Sequence, residues 1–163
     1  MPVSRDEGRF LYMTARVIGA RNVVEFGSSF GISTLHLASA MKDSGGGMVI
    51  TTEIEPSKCR ATEHNLREAG LDAYARVIEG DATKTLQDVE GPIDLLFLDG
   101  WKDLYLTVLQ MLLPRLRKGA VVIADNVRFP DARPYVDYVR DPSHGFISMS
   151  MFKNSLEYSC WMG

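Results

Sequence analysis

Two apolar runs of strand length end abruptly in side chains that can bind a cation or move a proton. One is Ile93-Asp-Leu-Leu-Phe-Leu-Asp99-Gly-Trp101-Lys102-Asp103, the other Val121-Val-Ile-Ala-Asp125-Asn126. In an open α/β sheet the ligand crevice lies just outside the carboxyl ends of the strands, so both clusters point into one site. Asp99, Asp125 and the amide oxygen of Asn126 are hard oxygen donors of the kind that Mg²⁺ or Ca²⁺ takes, and few enough to leave positions for water or substrate. Lys102, three residues after the first carboxylate, is a candidate base beside such a cation. Blander roles compete: Trp101 as a plug of the core, Lys102 as a solvated residue at a helix start, and Asn126 as a turn former.

The elements that must position these groups alternate regularly. Ser4 and Glu7 form a capping-box pair that starts a helix carrying Phe10, Leu11, Met13, Val17 and Ile18 up to Gly19. Residues 23–26 read as a strand and 31–41 as a helix. A strand over 48–54 follows the triple glycine, and Pro56 opens a helix that runs to Gly70. Residues 75–78, 93–98 and 120–124 are further strands, with a short helix over 83–89 and another after Lys102 that Pro114 disturbs and Gly119 ends. Strands apolar on both faces call for helices on both sides. The βαβ alternation predicts a doubly wound, mostly parallel sheet. Beyond Pro130 the pattern changes to a helix over 134–140 and two strands, 146–152 and 156–162, flanking Lys153-Asn-Ser as an antiparallel hairpin. That makes seven strands.

The first strand-to-helix turn reads Glu25-Phe-Gly27-Ser28-Ser29-Phe-Gly31-Ile-Ser33. It is glycine-rich but lacks the Gly-x-Gly-x-x-Gly of a pyrophosphate cradle, which counts against a nicotinamide dinucleotide. Glu25 before the turn would repel a phosphate and welcome an ammonium group, so a cationic nucleoside cofactor fits better. Glu53 ends the second strand where an acid can accept from ribose hydroxyls, and Asp81 ends the third, where it could accept from an adenine amino group. Singly, each acid reads equally well as a surface or helix-cap carboxylate. Their position at successive strand ends favours the cofactor.

Together, Glu25-Phe-Gly-Ser-Ser-Phe-Gly31, Thr52-Glu53-Ile-Glu-Pro56, Glu79-Gly-Asp81, Phe97-Leu-Asp99-Gly-Trp-Lys-Asp103 and Ala124-Asp-Asn126 carry a family resemblance. The chain resembles the class I S-adenosylmethionine (SAM) dependent O-methyltransferases of the catechol O-methyltransferase type, colinearly over about residues 15 to 130. The resemblance implies a Rossmann-like fold and Mg²⁺-dependent methyl transfer from SAM to a hydroxyl of a small phenolic, catechol-like acceptor. It implies that Gly27, Ser28, Ser29 and Gly31 line the methionine part of SAM, with Glu25 nearby and Ser33 close to its carboxylate. Glu53 would bind the ribose, Ile54 would touch adenine, Asp81 and Ala82 would read its edge, and Trp101 would pack on its ring. Asp99, Asp125 and Asn126 would hold Mg²⁺ or another divalent cation, and Lys102 would act as base with Asp99 beside it.

Three departures bear on this. Family members carry helices ahead of the one at residues 4–18 that roof the acceptor; the sequence begins without them, and a homodimer is one way to supply cover. The tail is short, and Glu157 aligns with the final strand rather than with a loop before it, so it receives no role. Gly100 replaces a larger residue of some relatives. Competing functions are methylation of a hydroxylated nucleoside in tRNA, and a SAM-binding module without catalysis.

The bulk properties agree with a small soluble partner. The 163 residues, 45% hydrophobic and 24% charged, suit one globular domain spanning the chain. A net charge of −3 without a Lys/Arg block disfavours nucleic acid and anionic membranes. No apolar run reaches the ~18 residues of a spanning helix and the amino terminus does not read as a signal peptide, so a cytoplasmic protein is expected. Cys59 and Cys160 lack metal-site spacing and read as reduced thiols, and His36, His64 and His144 as packed or solvated side chains.

Overall fold

The structure is a computed structural model and describes residues 2–163. Helix α1 (Arg5–Val17) begins at the expected capping box, with Glu7 N donating to Ser4 Oγ at 3.2 Å and Ser4 N to Glu7 Oε2 at 2.7 Å. Strand β1 (Asn22–Phe26) leads through a glycine turn to α2 (Ile32–Asp43), and β2 (Met48–Glu53) to α3 (Pro56–Glu68). Next come β3 (Ala75–Glu79) with the single-turn α4 (Ala82–Thr85), and β4 (Ile93–Leu98) with α5 (Tyr105–Leu112). The chain ends with β5 (Leu116–Ala124), α6 (Arg133–Arg140), β6 (Phe146–Met151) and β7 (Leu156–Trp161).

The seven strands form one sheet in the order β3-β2-β1-β4-β5-β7-β6, with β1 to β5 parallel and β7 antiparallel to both β5 and β6. Period-two alternation divides the core. Val23, Val49, Leu95, Phe97, Val121 and Ile123 face α1, α2 and α3 through Leu11, Leu37, Met41 and Leu66. Val24, Phe26, Leu96, Leu98 and Val122 face α5 and α6 through Tyr105, Leu109, Tyr135 and Val139. Burial of both faces of β1, β4 and β5 is the dominant stabilising term, at roughly 25 cal/mol per Å² of apolar surface.

The strand order reverses direction between β1 and β4, the switch point where an open sheet leaves a crevice. Register then aligns the ends. Leu98 sits opposite Phe26 on one side and Ala124 on the other, so Asp99 and Asp125 leave the sheet side by side. Asp99 N donates to Phe26 O at 2.8 Å and Asp125 N to Leu98 O at 2.9 Å, extending the ladder into the site.

Several boundaries differ from expectation, most by one or two residues. The helix after Lys102 does not reach Gly119, because residues 116–119 already belong to β5, with Leu116 opposite Ile93 before a register shift and Arg117 Nε paired with Asp94 Oδ1 at 2.7 Å. Pairing across the sheet overrides the local signal there. Helix α4 starts at Ala82, capped by Asp81, and is only four residues long, so Leu86 and Val89 pack as coil. Helix α2 runs two residues past Met41, and Ile54 lies outside β2 with 53% of its surface exposed.

Candidate active site

A cleft of about 500 Å³ opens over the carboxyl ends of the central strands. Of the residues singled out from the sequence, Gly27, Ser29, Glu53, Ile54, Asp81, Ala82, Asp99, Trp101, Lys102 and Asn126 line it. Glu25, Ser28, Gly31, Ser33 and Asp125 do not; all but Gly31 are buried polar side chains. None of the histidines lines the cleft, and both cysteines are free thiols.

In the half formed by β1, β2 and β3, carboxylates are held by backbone amides. Glu53 Oε2 accepts from Ser29 N at 2.9 Å, and Oε1 accepts from Ile54 N at 3.0 Å and Glu55 N at 3.1 Å. Asp81 Oδ1 accepts from Thr83 Oγ1 at 2.7 Å and Thr83 N at 2.9 Å, which caps α4 and holds the carboxyl below its ordinary range. Asp81 is thus a cap and a cleft-lining acid at once. Ser28 Oγ faces Thr62 Oγ1 at 3.3 Å beneath the turn, and a Cβ on Gly31 would meet Thr62 Cγ2 at 2.8 Å, so these two pack the turn onto α3.

Glu25 is fully buried. Its Oε1 accepts from the hydroxyls of Thr34 and Thr51, the latter at 2.7 Å, while Oε2 has no partner among the described residues. Burial pushes its pKa up, against the opposing hydroxyls of Ser33, Thr34 and Thr51. A buried carboxylate oxygen left open behind a glycine turn is costly unless a donor or a positive charge arrives.

The half formed by β4 and β5 is drier. Asp99 exposes 9% of its side chain and its pKa is raised to about 7, first by burial, against the pull of Lys102, and further by Asp125 and Glu25. Burial likewise raises Asp125, whose Oδ1 accepts from Asn126 N at 2.7 Å and Ser155 Oγ at 3.4 Å. Asn126 adopts a left-handed φ of 56°, which Asn tolerates better than most residues, and its Nδ2 lies 3.2 Å from Asp99 Oδ1. Asp99, Asp125 and Asn126 therefore meet. Two adjacent buried carboxylates and a carboxamide fit a hard divalent cation in donor type and in charge.

Lys102 Nζ donates to Gly100 O at 3.0 Å and stands 3.4 Å from Asp99 Oδ1, with 18% of its side chain exposed and the Tyr105 ring 5.1 Å away. It is not a freely solvated lysine. Trp101 is 66% exposed at the mouth, which rules out the core-plug role, and Phe129 is 56% exposed beside the same cleft. Gly100 has a packing reason: a Cβ there would enter the Phe26 ring, and a Cβ on Gly27 would strike Gly100 N at 2.7 Å.

Lys58, Phe129 and Asp131 also line the cleft and were not expected. Phe129 follows Asn126 by three residues and Lys58 lies in the first turn of α3, so proximity to the strand ends was the available signal. Glu157 is confirmed as part of the final strand, fully buried and paired with Arg140 at 2.7 Å.

The doubly wound sheet, with β7 antiparallel between β5 and β6, is the Rossmann-like fold of solved methyltransferases. The chain belongs to the methyltransferase-domain family, which matches residues 24–127. It is 36% identical over 126 residues to the catechol O-methyltransferase of Mycobacterium tuberculosis, covering 77% of this chain and 56% of that protein. An O-methyltransferase from Bacillus cereus in complex with SAH superimposes with a TM-score of 0.86 at 25% identity, over 98% of this chain and 82% of the other. The O-methyltransferase TomG from Streptomyces achromogenes in complex with SAM does so with a TM-score of 0.84 at 26% identity, over 99% and 82%. The chain spans 56% and 58% of the length of the first two curated relatives.

Proposed function

We propose that residues 1–163 form a single domain that binds SAM and, with Mg²⁺ or another divalent cation, transfers its methyl group to a hydroxyl of a small catechol-like acceptor. The observation that carries this reading is one cleft lined by the amide-held acid Glu53, the buried acid Asp99, Asn126 and Lys102, with the buried Asp125 behind its wall beside Asp99. Similarity to O-methyltransferases with SAM or SAH bound supports the cofactor.

Each residue has a task in this reading. Glu53, fixed by three amides, presents its remaining lone pairs to the ribose hydroxyls, and Asp81 offers its second oxygen to the adenine amino group. Ile54, Ala82 and Trp101 supply apolar surface to the base. Gly27 and Ser29 line the methionine end, with Ser28, Gly31 and Ser33 supporting the turn from behind. The open oxygen of Glu25 suits the ammonium group.

Asp99, Asp125 and Asn126 would hold the cation, and its charge would draw Asp99 into the carboxylate form. The cation would lower the pKa of an acceptor hydroxyl from the ordinary phenolic value of about 10, and SAM would supply an electrophilic methyl carbon. Lys102 Nζ, in its neutral amine form, which a neighbouring cation and the SAM sulfonium would favour, would take the hydroxyl proton, and SAM would supply the methyl group and leave with the bonding electrons on sulfur. Holding oxygen, methyl carbon and sulfur in line can contribute ~7 kcal/mol or more. No helix among the described residues is long and apolar enough to cross a membrane.

The test is transfer of labelled methyl from SAM to catechol and to phenol, in Mg²⁺ and in excess chelator. Catechol should be methylated in Mg²⁺ only, and phenol poorly in either. Full transfer in chelator would remove the cation, and absence of SAM binding would remove the whole reading.

A further inference from the structure

The Asp125-Asn126 turn is gripped from two sides by residues that do not line the cleft. Tyr105, the first residue of α5, is fully buried and donates its hydroxyl to Asp125 O at 2.9 Å. Its ring is fixed edge-on against Phe26 at 6.3 Å and Tyr135 at 5.8 Å. From the other side comes the tip of the β6–β7 hairpin. Ser155 O accepts from Val127 N at 3.0 Å, and Ser155 Oγ reaches Asp125 Oδ1 at 3.4 Å.

That tip is unusual. Phe152, Lys153 and Asn154 all have positive φ, 50°, 55° and 63°, a run that non-glycine residues adopt only under constraint. The Phe152 ring is anchored on Phe10 of α1 at 5.4 Å, and Ser155 N donates back to Phe152 O at 3.1 Å. A relaxed two-residue turn would close the hairpin without strain. The antiparallel register of β7 on β5, with Ala124 opposite Glu157, sets Ser155 beside the end of β5, directly after the three left-handed residues.

The combined effect on Asp125 is specific. Its backbone N is taken by Leu98 O, its backbone O by Tyr105, and its Oδ1 by Asn126 N and Ser155 Oγ. Oδ2 is left as the oxygen that can bind a cation. We propose that Tyr105 and Ser155 are positioning residues for the cation site: they fix the Asp125-Asn126 turn so that Asp125 offers one oxygen and Asn126 lies against Asp99. This rests on the cation reading above, and it gives the carboxyl-terminal hairpin a part in the reaction centre, through a residue that touches neither substrate nor cofactor.

The experiment is Mn²⁺ titration, with Mn²⁺ alone as probe, of the wild-type chain, Tyr105→Phe, Ser155→Ala and Asp125→Asn, with SAM affinity measured on each. Loss of one hydrogen bond to the turn should raise the Mn²⁺ dissociation constant about 3–10-fold in Tyr105→Phe and about 2–5-fold in Ser155→Ala, with SAM affinity unchanged. Where Tyr105→Phe does not fold, Ser155→Ala decides. Weakening in Asp125→Asn with wild-type Mn²⁺ affinity in the folded positioning variants overturns this inference alone. Equal loss of SAM and Mn²⁺ affinity in them also overturns it, because that is general loosening. Mn²⁺ binding that Asp125→Asn leaves intact overturns the cation reading, and the inference with it.

Discussion

The two sides of the site, the cleft and the wall behind it taken together, treat their carboxylates in opposite ways. At the ends of β2 and β3, Glu53 and Asp81 are held by backbone N–H groups, and Asp81 sits below its ordinary pKa range. At the ends of β4 and β5, Asp99 and Asp125 are buried beside each other and both are raised, Asp99 to about 7. A carboxylate that is already solvated by amides is ready to accept from neutral hydroxyls. One that is desolvated next to a second carboxylate is unfavourable until a cation joins it. One half is therefore preorganised for a nucleoside and the other is waiting for charge.

The sharpest way to break this division is Lys102→Met. The methyl-transfer rate should fall by about 10²–10⁴, the contribution of a positioned base, while SAM and Mn²⁺ affinities stay near wild type. Graded acceptors refine the assignment, because more acidic phenols should lose less.

Asp99→Asn tests the charge deficit without any ligand. The folded pKa of about 7 lies above the ordinary 3.8, so between these values the folded chain holds a proton that the unfolded chain has released. Rising pH then costs the wild type stability across that window, by up to about 4 kcal/mol from this carboxyl, a contribution that the neutral variant lacks. Denaturant melts in chelator should show the variant gaining on the wild type from pH 4 to pH 8. A constant difference would mean that Asp99 is not raised.

On the nucleoside side, Glu53→Ala should weaken SAM binding by ~1.5–3 kcal/mol by calorimetry, with Mn²⁺ affinity unmoved. The smallest effect belongs to Trp101→Ala. Losing one exposed aromatic wall should cost about 0.5–1.5 kcal/mol of SAM affinity, and an unchanged value would place adenine elsewhere.

The parallel sheet was legible because Ile93-Asp-Leu-Leu-Phe-Leu and Val121-Val-Ile-Ala are apolar on both faces and end in polar clusters. The register that sets Asp99 beside Asp125 follows from pairing that a linear pattern only implies. Residues 116–119 escaped because Asp94, a strand away, recruits Arg117 into β5. Depth escaped too. Glu25, Ser28, Ser33 and Asp125 carry cofactor and metal-type side chains at the right strand ends, yet they lie behind the cleft wall, which depends on packing against Thr34, Thr51, Thr62 and Ser155. Tyr105 and Ser155 gave no local signal, since they act through a turn 20 and 30 residues away.

The most direct test of the division is a crossed pair of affinities. SAM and Mn²⁺ binding would be measured separately on Glu53→Ala and Asp125→Asn, both verified as folded. The account predicts that Glu53→Ala loses SAM affinity and keeps Mn²⁺, while Asp125→Asn loses Mn²⁺ and keeps SAM. Parallel loss of both ligands in either folded variant, or Mn²⁺ binding indifferent to Asp125, would contradict it.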